Sequence, residues 1–324
     1  MPTTDAYTKT ERMLQLQLLF WRNPRRGFGT TEIAGRLGVS ERTARNYLNE
    51  LSAGGWLPVY RESRYWYLAE GASFDLLPVH LTLNEASVLY LAARLLARYS
   101  DEYNPIIAHA LAKLASAMPE AIAAHIHHTI TSLAYRPKNR TFARVLETIA
   151  LGWATGRKAR IWHQAAGSEN VHDYLFSPYF LEPSSVGYAT YAIGYSSWFE
   201  DVHTFKLERI SQAELTDETF EIPEDFDGAK LLGSAWGVMF GDEVEEVILR
   251  FSPQVTRRVK ESVWHPSQDL EDCDDGGCTL RLWVAHPLEM KPFIRGWGEH
   301  CEVLSPEWLR REIAEEMRRA AEVY

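Results

Sequence analysis

Cysteine is nearly absent from the sequence: Cys273, Cys278 and Cys301 are the three in 324 residues, late and unevenly spaced. An odd, sparse set argues against a disulfide scaffold and suits a reducing compartment, so a cytoplasmic location is expected. Long apolar runs are absent as well. With no stretch of about 18 apolar residues, no helix is expected to span a membrane. The segment from Met1 to Arg26 lacks the basic-then-apolar layout of a secretory leader. Low-complexity tracts and fixed-period repeats are missing. So are a phosphate loop, a Gly-x-Ser-x-Gly turn and any nucleophile with an evident base. Scattered acidic pairs form no glycosidase-like constellation. The chain is therefore not expected to be an enzyme, and no catalytic residue and no cofactor is assigned.

An excess of basic charge is missing too: 34 Lys and Arg stand against 44 Asp and Glu, a net of −10. Taken whole, that argues against nucleic acid, but the distribution decides. Residues 1–70 carry 10 basic and 7 acidic side chains, a net of +3, and the rest of the chain has a net of −13. A small basic head rides on a large acidic body, which repels DNA except where the head docks. With 46% hydrophobic residues, the chain can fill two or three cores rather than one.

The apolar pattern predicts a helix from Asp5 to Trp21, stopped by Asn23-Pro24, and a second from Thr30 to Leu37, closed by Gly38. Ser40 caps a third that runs to about Leu51. Gly54-Gly55 breaks the chain, and Leu57 to Tyr60 with Tyr65 to Leu68 reads as a hairpin around Arg61 to Arg64. Residues 72–156 read as mostly helical: Thr82 and Glu85 match a capping box before a helix to Tyr99, with further helices over Ile106 to Met118 and Phe142 to Trp153. Short aromatic and β-branched strands follow at Arg160 to Gln164, Val171 to Phe176, Tyr188 to Tyr195 and His203 to Leu207, an antiparallel sheet or partial barrel. The last third alternates as strand Glu246 to Phe251, helix Pro253 to Glu261, hairpin Val263 to Leu270 and Thr279 to Ala285, helix Leu288 to Ile294, strand Cys301 to Leu304, and a final helix capped by Ser305. That is the β-α-β-β-α-β order of a ferredoxin-like domain.

The third helix carries the sharpest signal. Arg42, Arg45, Asn46 and Asn49 stand at i, i+3, i+4 and i+7 on one face, while Ala44, Tyr47, Leu48 and Leu51 share another. Guanidinium groups suit guanine acceptors and amides suit adenine edges. Thr31, Ser40 and Thr43 add short hydroxyls near helix starts, where backbone amides hold phosphate. Arg61, Arg64 and Tyr65 are expected as wing contacts. The whole reads as a winged helix-turn-helix for double-stranded DNA; the plainer alternative for the polar face alone is a solvated helix surface.

Thr31 to Leu68 resembles the N-terminal winged helix of the WYL-domain transcription regulators. His80-Leu81-Thr82-Leu83-Asn84-Glu85-Ala86 resembles the start of that family's helical linker. Ala159 to Ile210 resembles the WYL domain, and Val247 to Tyr324, through Glu302-Val303-Leu304-Ser305-Pro306-Glu307-Trp308-Leu309-Arg310, its C-terminal WCX extension. The resemblance implies a multidomain α+β chain: a winged helix-turn-helix over 1–70, a helical linker over 71–156, a small Sm-like β-barrel over 157–228 and a ferredoxin-like α+β domain over 229–324. The naming Trp-Tyr-Leu is replaced by Thr190-Tyr191-Ala192 before Ile193-Gly194-Tyr195, so only the tyrosine is kept. Thr204-Phe205-Lys206-Leu207-Glu208-Arg209-Ile210 stands where the family has Thr-Phe-Arg-Leu-Asp-Arg-Ile, and Lys206 loses the bidentate grip of an arginine. His163 stands where a tyrosine is common.

The resemblance further implies an effector, a nucleic-acid fragment or nucleotide-like anion, signalling DNA damage or phage invasion. His163, Tyr191, His203, Lys206 and Arg209 are the expected contacts, with Arg295 from the C-terminal domain, because aromatic and basic groups together suit stacking and phosphate pairing. Strand aromatics that only pack, and bases paired with Glu208 or Glu200, are the plainer alternative. Partners are then a DNA operator, a second copy of the chain and the effector. Metal binding is not expected: Asp272 to Cys278 lacks a second ligand pair and has the composition of a turn, and His125-Ile126-His127-His128 is expected at a helix end. The competing classes are a nucleotide-acting enzyme or an acidic adaptor carrying a winged-helix targeting module.

Overall fold

The computed structural model describes residues 8–99, 103–136, 140–184, 189–241 and 243–324. It is a mixed α+β chain with three sheets in two compact units. One unit runs to Pro178 and includes Gly194–Asp201 and Arg209–Glu221; the other comprises Tyr179–Ile193, Val202–Glu208 and Ile222–Tyr324.

The first unit opens with α1 (Lys9–Arg22), β1 (Phe28–Gly29), α2 (Thr30–Leu37), α3 (Glu41–Ala53), β2 (Val59–Glu62) and β3 (Tyr65–Leu68). Thr8 and Glu11 cap α1 reciprocally; Asp5 to Tyr7 of the expected helix lie outside the described residues. α2 ends at Gly38, whose φ of 63° is open to glycine without strain. The amides of Gly38 and Val39 then donate to the carbonyls of Gly35 and Ala34 at 3.4 and 3.0 Å, which closes the helix and sets the angle to α3. Ser40 caps α3 as expected, accepting from the Thr43 amide at 3.1 Å. The strands form an antiparallel sheet in the order β1-β3-β2. The hairpin loop is tighter than expected: Arg61 and Glu62 belong to β2, Glu62 pairs with Tyr65, and only Ser63 and Arg64 turn, with Ser63 at φ 57°.

Leu16, Phe20, Phe28, Ile33, Leu48, Leu51 and Leu57 are wholly buried in one core shared by these elements. Gln17 is buried among them and donates to the carbonyls of Trp56 at 2.7 Å and Asp75 at 3.1 Å. It thereby ties α1 to the chain on both sides of the hairpin.

Four helices follow, α4 (Leu83–Tyr99), α5 (Pro105–Ser116), α6 (Glu120–Ala134) and α7 (Arg140–Thr155). The Thr82–Glu85 box is present: the Thr82 amide donates to the Glu85 carboxylate at 2.7 Å and the Glu85 amide to the Thr82 hydroxyl at 3.3 Å. The Thr82 amide and the Thr82 hydroxyl, both donating to it, hold the Glu85 carboxyl below its ordinary pKa. The expectation for His125 to His128 is corrected. They lie inside α6, not at a helix end, because Ile126 and Leu133 bury against Tyr90 and Leu111 and draw the whole segment into the helical cluster.

A five-stranded sheet comes next, β4 (Arg157–Gln164), β5 (Val171–Ser184), β6 (Ala189–Ser196), β7 (Asp201–Lys206) and β8 (Ile210–Thr219), in the order β7-β6-β5-β4-β8. Its segments belong to both units. Among the described residues β7 and β8 are its edges, so the sheet is open rather than a closed barrel. Tyr188 of the expected third strand lies outside the described residues. β5 runs on past the expected end at Phe176 to Ser184, and Leu207 begins a 3-10 turn rather than ending a strand. β8 was not expected at all: its polar sequence gives no apolar alternation, yet it pairs antiparallel with β4 from Arg157↔Thr219 to His163↔Ile210. Buried Arg157 fastens the pair, donating twice to the Thr216 carbonyl at 3.0 and 2.9 Å.

The rest of the second unit holds α8 (Gly228–Leu232), β9 (Glu245–Phe251), α9 (Pro253–Lys260), β10 (Asp269–Asp272), β11 (Cys278–Val284), α10 (Lys291–Gly296), β12 (Cys301–Ser305) and α11 (Glu307–Ala321). The sheet is antiparallel in the order β10-β11-β9-β12, and the β-α-β-β-α-β sequence expected of a ferredoxin-like domain is present. Val247, Leu249, Phe251, Leu280, Leu282 and Leu309 build its core. Two local expectations are corrected. Residues 263–268 are not strand, because Gln268 accepts from the amides of Trp264 and His265 and closes a turn there. Ser305 belongs to β12 and does not cap α11, whose N-cap position is Pro306.

Candidate nucleic-acid interface

α3 is held by its apolar side. Ala44, Leu48 and Leu51 are wholly buried and Tyr47 nearly so. The same helical phase turns Arg42, Arg45, Asn46 and Asn49 outward, all four exposed. Among the described residues none of the four makes a side-chain hydrogen bond or ion pair, so two guanidinium groups and two amides stand together with their donors and acceptors unspent. At the N-terminus of α3 the Ser40 and Thr43 hydroxyls bond each other at 2.8 Å. Thr31 donates to the Glu41 carboxylate at 2.7 Å, so its hydroxyl is already engaged. Glu41 is the neighbour of these groups that sequence reasoning missed; an acid in the first turn of α3, facing a first-turn threonine of α2, was the available signal.

The hairpin presents Arg64 and a 43%-exposed Tyr65. Arg61 bends back to donate to the Ser63 carbonyl at 3.1 Å, which braces the two-residue turn. Tyr60, half exposed, stacks on Tyr67 with ring centroids 5.7 Å apart. Other head arginines are committed: Arg26 and Arg36 both pair with Glu32 at 2.8 and 3.0 Å.

The expected effector residues are placed unevenly. In the first unit, His163 is buried at 8% exposure and meets the edge of Tyr174, which stacks on Phe199 at 5.6 Å. Arg209 is exposed and, among the described residues, has no bond or ion pair. In the second unit, Tyr191, His203 and Lys206 are half-buried, and the His203 ring lies 5.1 Å from Phe205. Glu208 does not neutralise a base; its carboxylate accepts from the Thr190 amide at 3.0 Å. Arg295 is exposed but pairs with Glu316 at 3.2 Å, and Glu316 also holds Lys291 at 2.6 Å. That pairing keeps the Glu316 carboxyl below its ordinary pKa and the Lys291 ammonium above its own. Among the described residues no group of His, Cys, Asp or Glu could hold a metal. The Cys273-to-Cys278 turn is closed by its own backbone, with the Cys273 amide donating to the Gly277 carbonyl at 3.0 Å. Burial pushes the Cys301 thiol up to about 12, so it is inert as a thiolate near neutrality. No helix among the described residues is long and apolar enough to cross a membrane.

Comparison with known proteins adds the decisive observation: residues 144–215 match the WYL domain and residues 243–321 match the WCX domain. The chain carries a WYL domain followed by a WCX domain. The WYL match takes in most of α7 and the five-stranded sheet as far as the middle of β8, and the WCX match the β9-to-α11 fold. The protein PafC of Mycobacterium tuberculosis, from strains CDC 1551 / Oshkosh and H37Rv, is 25% identical over 328 aligned positions, covering 98% of this chain and 96% of PafC. Among solved structures, the proteasome accessory factor B/C (PafBC) of Arthrobacter aurescens aligns over all of this chain at 18% identity and a TM-score of 0.34; this chain spans 50% of its length. A CRISPR Cas-related protein aligns over 77% of this chain and 88% of its own at 9% identity, with a TM-score of 0.39.

Proposed function

We propose that this WYL-domain protein is a transcription regulator that reads a double-stranded DNA operator through a winged helix-turn-helix at residues 1–70. A helical linker over 71–156 then joins the head to a WYL effector-sensing domain at 157–228 and a WCX domain at 229–324. The observation that carries the reading is the exposed, unpaired face of Arg42, Arg45, Asn46 and Asn49 on a helix anchored by its opposite side. A protein-binding winged helix would offer an apolar or acidic face there; this one offers groups matched to base edges in the major groove. Arg64 and Tyr65 take the wing's backbone contacts, and Ser40 and Thr43 a phosphate at the start of α3. The regulator acts as a homodimer on a two-part site.

Its effector is a nucleic-acid fragment or nucleotide-like anion, of the kind released by DNA damage or phage attack. Arg209, exposed and unpaired, makes the first anion contact; Lys206 and Tyr191 follow, with His203 at the sheet edge. His163, being buried, orients Tyr174 rather than touching the ligand, and Arg295 must first leave Glu316. Effector binding favours one of two head arrangements and so changes operator affinity.

Fluorescence anisotropy tests both halves. Duplexes from around the protein's own coding region are titrated with wild type, Arg45→Ala and Arg209→Ala, with and without short single-stranded oligonucleotides. Specific binding lost in Arg45→Ala, and an oligonucleotide response lost in Arg209→Ala, uphold the reading. Absence of any preferred duplex ends it; a preferred duplex with no oligonucleotide response ends the sensor half alone.

A further inference from the structure

Helix α4 is apolar on two opposite sides. Tyr90, 6% exposed, and Ala97, 1% exposed, pack into the helical cluster, and Ala86 at 9% lies on the same side. Half a turn round the axis stand Val88, Leu91, Ala92 and Leu95, with Val88 64% exposed and Leu91 and Leu95 each 60% exposed. A helix apolar all round belongs in an interior. Leu89 and Leu96 flank the stripe at 48% and 43% exposure. Such a contiguous surface is on the order of the 300–600 Å² that marks an interaction site, not scattered leucines. With its margins it approaches the roughly 800 Å² each partner gives to a stable interface.

We propose that this face pairs with itself: two copies of the chain join through antiparallel α4 helices, about a two-fold axis between Leu91 and Ala92. The stripe is self-complementary in that arrangement. Val88 of each copy falls opposite Leu95 of the other, and small Ala92 meets Leu91 at the centre, where the helices come closest. Glu85, near the start of α4, falls opposite Arg98 of the other copy, and both are exposed. A parallel pair would instead set Glu85 against Glu85 and Arg98 against Arg98. Isologous contact of this kind closes at two copies and leaves no free face for further growth. The proposal rests on the homodimer part of the function proposed above and names its surface; it does not depend on what the heads bind.

Sedimentation velocity on the full chain at micromolar concentration, without DNA, tests it, with wild type compared to Leu91→Glu/Leu95→Glu. The expected result is a wild-type dimer whose dissociation constant rises at least about thirtyfold in the double variant, with an unchanged far-ultraviolet circular dichroism spectrum. A second measurement stands if that variant does not fold. Ala92→Cys, exposed and near the axis, is expected to give a disulfide-linked dimer on mild oxidation. Val88→Cys alone is expected not to, whereas a mixture of Val88→Cys and Leu95→Cys chains is. A monomeric wild type at tens of micromolar, an undiminished dimer in the double variant, or an Ala92→Cys chain that does not cross-link overturns the interface. A monomer that still binds a duplex through Arg45 sinks the interface and spares the head; a dimer that binds none does the reverse.

Discussion

Arg45 and Leu51 lie on the same helix and should fail in different ways. Leu51 is wholly buried in the head core. Leu51→Ala removes its contacts and leaves a cavity that neighbours fill only in part, at a cost of about 2–5 kcal/mol. In a small domain, each kcal/mol lowers Tm by about 4–8 °C, so the head of Leu51→Ala should melt at least about 8 °C early. Its folded fraction should keep the wild-type duplex preference. Arg45 is exposed and bonds nothing among the described residues, so Arg45→Ala should change stability by no more than about 0.5 kcal/mol. A guanidinium seated on a base edge contributes about 1–3 kcal/mol of discrimination, so affinity for the preferred duplex should fall roughly 5- to 150-fold while affinity for scrambled DNA falls far less. Thermal melts and anisotropy on the same preparations separate the two effects. If Arg45→Ala keeps its preference ratio, or melts as early as Leu51→Ala, then α3 does not sit with its polar face toward DNA and the reasoning is wrong.

Arg64→Ala should weaken preferred and scrambled duplexes alike and lower the slope of log K against log salt by about 0.9, one phosphate's worth; an unchanged slope takes the wing off the backbone. Gln17→Ala leaves the Trp56 and Asp75 carbonyls without their donor, at about 1–3 kcal/mol each if water cannot reach them. Chemical denaturation should show the loss, and a neutral result would mean that solvent enters beside α1. The Glu316 carboxyl is held below its ordinary value of 4.5 by Lys291 and Arg295. Its contribution to stability is therefore full above that pH and fades as pH falls through the lower, folded value. Melts between pH 3 and 7 should show a shallower acid-side decline in Glu316→Gln than in wild type, and parallel curves would count against the pairing.

How legible these features were depended on whether one segment carried its own signal. α3 could be read because its cap, its buried stripe and its polar face all lie within a dozen residues. The Thr82–Glu85 box was legible for the same reason, and the strand order of the last third followed from turn chemistry around Asp272 to Gly277. β8 was not legible: its polar residues form a strand because β4 offers an edge and Arg157 bonds across it, a relation between segments about 55 residues apart. α6 was obscured by histidines and β-branched residues of modest helix propensity, and only Ile126 and Leu133 finding Tyr90 and Leu111 makes it a helix. Charge alone picked both Arg209, which stands exposed, and Arg295, whose ion pair nothing near it in sequence announces, since Glu316 lies 21 residues on. The buried position of His163 follows from its pairing partners on both sides of β4, which its own neighbours in the chain do not reveal.

The bond from Gln17 to Asp75 also sets a length. Residues up to Leu77 are packed onto the head and α4 begins at Leu83, which leaves Pro78 to Thr82, five exposed residues, as tether. Fully extended, five residues reach about 17 Å, half of the roughly 34 Å that one turn of duplex separates two half-sites. Two polar contacts moor the head meanwhile: Arg22 to the Thr155 carbonyl at 3.2 Å and Arg25 to Asp217 at 2.8 Å. With them made, each head has one address along the DNA. With them released, it gains at most half a turn of latitude, so operators whose half-sites differ in spacing by a few base pairs would sort the moored molecule from the released one.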